Sequence, residues 1–171
     1  INWEIKISDH ELDAKGIQAR MRGYHDEQKW ITRQIDNLNE YGALYSEMTV
    51  LIRKHGFIRD AGTQELYDET LRHPLLKDES LAISFSAKIY YNNIFSTYFY
   101  ARGDRRKCLR HLLRIVELWD SATDRLKEKP MAYLSALNNI LIIKLELNQF
   151  ESFHRNLEKL KVLGKKHKTI E

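Results

Sequence analysis

The sequence predicts an all-α protein assembled from antiparallel helical hairpins, and three observations carry that reading. Its 171 residues include only two prolines and seven glycines, so little interrupts a helix. Apolar side chains recur at three- and four-residue steps over most of the chain, the spacing of one helical face. The chain also matches itself when slid by 45 residues, which brings Gly103 onto Asn148, Cys108 onto Phe153, Leu112 onto Leu157 and Ile115 onto Leu160. At the same shift Asn93 meets Asn138, each inside an Asn-Asn-Ile run, and Gly56 lies 47 positions before Gly103.

Residues 1–25 read as an N-terminal arm and a weak helix. Ile1, Trp3, Ile5 and Ile7 alternate with polar residues, a period-two pattern that suits an extended arm. Such an arm lies on the helices or links neighbouring molecules through residues 1–8. Residues 9–24 carry Leu12, Ile17 and Met21 at helical spacing, weakened by Gly16 and Gly23. The helical domain is expected over 26–171, with hairpins at about 30–73, 79–120 and 131–164. In the first, Trp30, Ile31, Ile35, Leu38, Tyr41, Tyr45, Met48 and Ile52 recur at three- and four-residue steps in a pattern that stops at Lys54, His55 and Gly56. Thr63 then reads as the cap of a shorter helix, which Pro74 ends because the residue before a proline is pushed out of helical geometry.

The clearest hairpin runs from Asp78 to Asp120. Asp78 is expected to cap a helix of ~23 residues that closes at Arg102 and Gly103. Tyr91, Phe95, Tyr98 and Phe99 fall on one core-facing stripe of it. Asp104 caps the returning helix, whose apolar line is Cys108, Leu112, Ile115 and Trp119. Arg106, Arg110 and Arg114 form the opposite, solvated line, and His111 points toward them. A connection this short forces the two helices side by side and antiparallel. In the third hairpin Pro130 occupies the first helical position, and the helix behind it is apolar nearly all round, as a helix packed on two sides would be. Asn148 and Gln149 make its turn, and Phe150, Phe153, Leu157, Leu160 and Leu163 line the last helix up to Gly164.

On these residues the chain resembles the tetratricopeptide repeat family. Counting from Ile89, Phe95, Ser96, Phe99, Gly103, Cys108, Leu112 and Ile115 fall at that motif's packing and turn positions. Counting from Leu134, Leu137, Ile140, Leu141, Phe150, Phe153, Leu157 and Leu160 take the same roles. Asn92 stands where the family prefers tryptophan, and the period is 45 to 47 residues rather than the family's shorter one. The chain is also similar to helical-repeat proteins of bacteria. The resemblance implies a right-handed α-α superhelix whose first helices line a concave groove for a peptide or partner helix. Transferred by register, the groove positions are Tyr90, Asn93, Thr97 and Tyr100 from one unit and Ser135, Asn138 and Ile142 from the next.

The residues point away from chemistry. Formal charge is +4, from 28 basic and 24 acidic side chains. Only the cluster around Arg106, Arg110 and Arg114 suggests a phosphate-contacting ridge for nucleic acid. A solvated helix face is the simpler reading of that cluster. The single Cys108 leaves no internal disulfide or multi-cysteine zinc site, and with His111 three residues on it lacks further ligands. No phosphate-binding glycine loop, zinc-protease histidine pair or nucleophile elbow is present. The expectation is therefore a non-catalytic protein-protein interaction module without metal or cofactor. Nucleic-acid binding and a structural or oligomerising role in a larger regulator are its alternatives. One cysteine and no spanning segment suit the cytoplasm, and a chain that opens on Ile1 reads as a piece of a longer protein.

Overall fold

A computed structural model of the protein describes residues 14–150, together with residues 153, 154, 157, 158 and 161. The arm at 1–8, Leu12, Leu160 and the closing stretch with Gly164 lie outside the described residues. The described elements are α1 (Ala14–His55), α2 (Ala61–Leu71), two 3₁₀ turns (Pro74–Lys77 and Glu79–Leu81), α3 (Phe85–Ala101), α4 (Arg105–Asp120), α5 (Thr123–Glu128) and α6 (Pro130–Glu146). The all-α expectation holds for them. No helix among the described residues is long and apolar enough to cross a membrane.

Helix α1 departs most from expectation. One uninterrupted helix of 42 residues, ~63 Å at 1.5 Å per residue, replaces the weak helix and the separate start near Asp26. Gly23 costs a helix interior only about 1 kcal/mol relative to alanine, too little to break a run this long. The positive φ of Gly56 (66°) ends it, behind Arg53, Lys54 and His55 in the last turn.

The helix expected from Asp78 to Arg102 is also divided. Asp78 does cap, but it caps the second 3₁₀ turn by accepting from the Ser80 N–H. The backbone is then extended at Ala82, and Ser84 caps α3 through Ala87 N. A long-range contact holds this break: the Asn37 side chain donates to Leu81 O at 3.0 Å and accepts from Ile83 N at 3.1 Å. Asp60, not Thr63, is the cap of α2, its carboxylate accepting from both the N–H and the hydroxyl of Thr63.

Helix α3 packs between α1 and α4, and α4 packs between α3 and α6. Two buried clusters result. Tyr41, Met48, Tyr67, Leu76, Ile94 and Tyr98 close the space among α1, α2 and α3. Leu112, Ile115, Trp119, Tyr133, Leu137 and Ile140 do so between α4 and α6, with Phe85 set edge-on to Trp119 at 4.9 Å. The apolar line Cys108, Leu112, Ile115 and Trp119 is buried as its spacing predicts. Residues with positive φ follow α1, α3 and α6 in turn: Gly56, Gly103 and Asn148.

Candidate protein-binding groove

Helices α3 and α6 run in the same direction on either side of α4. Two clefts open between them, one after the other. The first, of about 300 Å³, takes Phe85, Ile89, Tyr90 and Asn93 from α3 and Trp119 from α4. Arg125, Glu128 and Lys129 close its far side, so two cations face one carboxylate. The second, of about 290 Å³, takes Ser96, Thr97 and Tyr100 from α3, Cys108 and Leu112 from α4, and Asn139, Ile142 and Ile143 from α6, with Ile52 of α1 at its edge. Volumes at the lower end of the ~300–1,000 Å³ range of small-molecule sites suit single side chains better than a cofactor.

The sequence-derived contact residues divide between these clefts. Tyr90 and Asn93 line the first; Thr97, Tyr100 and Ile142 line the second. Ser135 and Asn138 are exposed on α6 and belong to neither lining, and Asn139 takes the place expected of Asn138. The rings are held in place: Tyr90 stacks on Tyr45 at 5.4 Å, and Tyr100 lies 5.3 Å from Phe57. The Arg105 guanidinium sits 4.2 Å from the centre of the Tyr100 ring, donates to Tyr100 O at 2.7 Å and pairs with Glu146 of α6. This arginine ties the end of α3 to the end of α6.

Sequence reasoning missed the parts supplied by tertiary packing. Leu112 and Trp119 read as core, yet they also form the groove floor, and nothing local marks Arg125 and Lys129 as its neighbours. Between the two adjacent asparagines, Asn92 is the buried one, 1% exposed. Its amide donates to Lys88 O at 2.9 Å, and its oxygen lies 2.9 Å from Nδ1 of His111. His111 therefore does not point toward the arginines. It lies flat beside Phe95 and Phe99, with centroids at 5.2 and 5.6 Å, and burial, then the nearby Arg110, pushes its pKa down. Burial likewise pushes the Cys108 thiol up to about 11, so the sulfur in the second cleft is a neutral apolar group.

The basic ridge is partly consumed within the fold. Arg105 is paired as above, Arg114 binds Glu79 at 3.0 Å and Glu117 at 3.3 Å, and Lys107 pairs with its own cap Asp104. Arg106 and Arg110 are the exposed cations that remain of that line. Among the described residues no group of three or more His, Cys, Asp and Glu side chains is placed to hold a metal ion. No family model, curated protein or solved structure matches the chain.

Proposed function

We propose that the chain is a non-catalytic interaction module that holds an extended segment of another protein along the α3–α4–α6 groove. The observation that carries the reading is the pair of clefts on one face. From Ile89 in the first to Thr97 in the second is ~12 Å along α3 at 1.5 Å per residue. Side chains four residues apart in an extended chain point the same way and lie ~13 Å apart at about 3.3 Å per residue. The first cleft, with Arg125 and Lys129 beside Trp119 and Phe85, suits an acidic side chain lying on an aromatic floor. The second, floored by Leu112 and Ile143 and edged by Thr97 and Asn139, suits an apolar anchor whose backbone meets an amide and a hydroxyl.

A stacked-hairpin, tetratricopeptide-like arrangement is consistent with this use of the face. The shared direction of α3 and α6 and the left-handed residues Gly56, Gly103 and Asn148 at near-regular intervals support it. Panning a displayed peptide library on the wild-type chain and on the Thr97→Arg/Ile142→Glu double variant tests the reading. Enriched peptides should share an acidic and an apolar residue four positions apart and should lose at least tenfold in affinity for the variant. Peptides without that spacing, or undiminished binding by the blocked groove, would overturn it.

A further inference from the structure

The N-terminal half of α1 leaves the body of the molecule. Asn37 is the last residue on it to touch another element through a described hydrogen bond, and residues 14–36 extend ~34 Å beyond that point. Along this projecting rod Ile17, Met21, Tyr24, Gln28, Ile31, Ile35 and Leu38 follow steps of four and three residues without a fault. That is the 3.5-residue period of a two-helix seam, not the 3.6-residue stripe of a helix laid on a globular core. Met21, Ile31 and Ile35 are 42%, 42% and 52% exposed. The same seam continues toward the C-terminus as Gly42 and Tyr45, and there α3 covers it: Tyr45 stacks on Tyr90, and Tyr90 lies 3.8 Å from where a side chain at Gly42 would begin. The seam is thus used for helix pairing in one half of α1 and, among the described residues, left uncovered in the other.

We infer that the bare half pairs with the same segment of a second copy, antiparallel, with the twofold axis near Asp26. Three features select this occupant. In a parallel pair the second copy's α3 would arrive beside the first's at the level of Gly42, whereas in an antiparallel pair the second copy's Leu38 comes level with Ala14 and its α3 lies beyond that end. In the antiparallel register Ile17 faces Ile35 and Met21 faces Ile31 of the other copy, so apolar meets apolar. The one polar core position, Gln28, faces Tyr24 of the other copy, and the amide and phenol can satisfy each other. An unrelated apolar surface would leave the Gln28 amide unpaired, a penalty that discriminates between partners. The axis also brings Glu27 against Glu27 of the second copy, but on the wet rim of the seam, where salt screens the repulsion.

The 171-residue chain is examined by sedimentation velocity over a hundredfold concentration range, and single-cysteine variants are oxidised. The expected result is a dimer that Ile31→Asp shifts to monomer by at least tenfold in dissociation constant. Far-UV circular dichroism and thermal unfolding of the body should be retained. Glu27→Cys should form a disulfide-linked dimer, because antiparallel packing sets position 27 beside itself, and wild type with its buried Cys108 should not. Efficient linkage of Ile35→Cys in place of Glu27→Cys would mean a parallel pair and overturn the inference. So would a wild-type chain that stays monomeric throughout, whether another part of the same chain covers the seam or nothing does. Should Ile31→Asp fail to fold, the cysteine pair decides the matter alone.

Discussion

Tyr98 offers the sharpest test of how this fold is held. Its ring is 5% exposed and packs against Tyr67 of α2 and Phe99, with centroids at 6.4 and 5.1 Å. Its hydroxyl donates to the Asp68 carboxylate at 3.0 Å and accepts from Gln64 Nε2 at 3.1 Å and Arg102 Nη1 at 3.0 Å. The residue therefore joins α2 to α3 twice, by packing and by charge-assisted hydrogen bonding. Removing the ring with Tyr98→Ala costs about 4 kcal/mol, the middle of the range for aromatic truncations in cores. Removing only the hydroxyl with Tyr98→Phe is milder. Asp68 keeps Gln64 at 2.7 Å and Arg102 turns to water, so the loss is about 1.5 kcal/mol. For a chain of this size each kcal/mol moves the midpoint by ~2–4 °C, giving drops of roughly 3–6 °C for Tyr98→Phe and 8–16 °C for Tyr98→Ala. Urea and thermal unfolding followed by circular dichroism measure both. A Tyr98→Ala loss below about 1 kcal/mol would refute the packing argument. Equal losses for the two variants would show that the hydroxyl network, not the ring, joins α2 to α3.

Two further outcomes are expected. His111 has a folded pKa below the ordinary histidine value, so the unfolded chain takes up the proton first. Its contribution is complete above about pH 6.5 and is lost as the solution is acidified through the folded pKa. The urea midpoint should therefore fall between about pH 7.5 and about pH 5.5 by more in the wild type than in His111→Phe, and equal falls would remove His111 as the cause. Gly23→Ala and Gly103→Ala should act in opposite directions. Neither new methyl group would meet an atom within 4 Å, but Gly23 lies inside α1 whereas Gly103 holds φ at +81°. Thermal unfolding should show a gain and a loss, each of about 1 kcal/mol.

What could be read in the residues was whatever local signals decide. Gly103, Asp104, Pro130 and Asn148 mark their turns through backbone and capping preferences that need no distant partner, and the line Cys108 to Trp119 is buried as its spacing requires. What escaped needed the third dimension. The break at Ala82–Ser84 is held by Asn37, more than forty residues away. Asn92 and Asn93 are identical in type, and only the arrival of His111 from α4 determines which one is buried. For the groove, register drew out Tyr90, Asn93, Thr97, Tyr100 and Ile142, and these side chains line the two clefts. It misplaced Asn138 by one position and gave no sign of Arg125 or Lys129, because α5 comes beside α3 only when α4 folds back.

The clamp at Asn37 has a mechanical meaning. Below it α1 lends Ile52 to the edge of the second cleft; above it the same helix carries the seam inferred to pair with a second copy. A tilt of only 5° about this pivot carries the far tip ~3 Å over an arm of ~34 Å. Ile52 and the N-terminal half thus lie on one helix either side of this point, and Asn37→Ala would loosen the seat of that helix on the Ala82–Ser84 break.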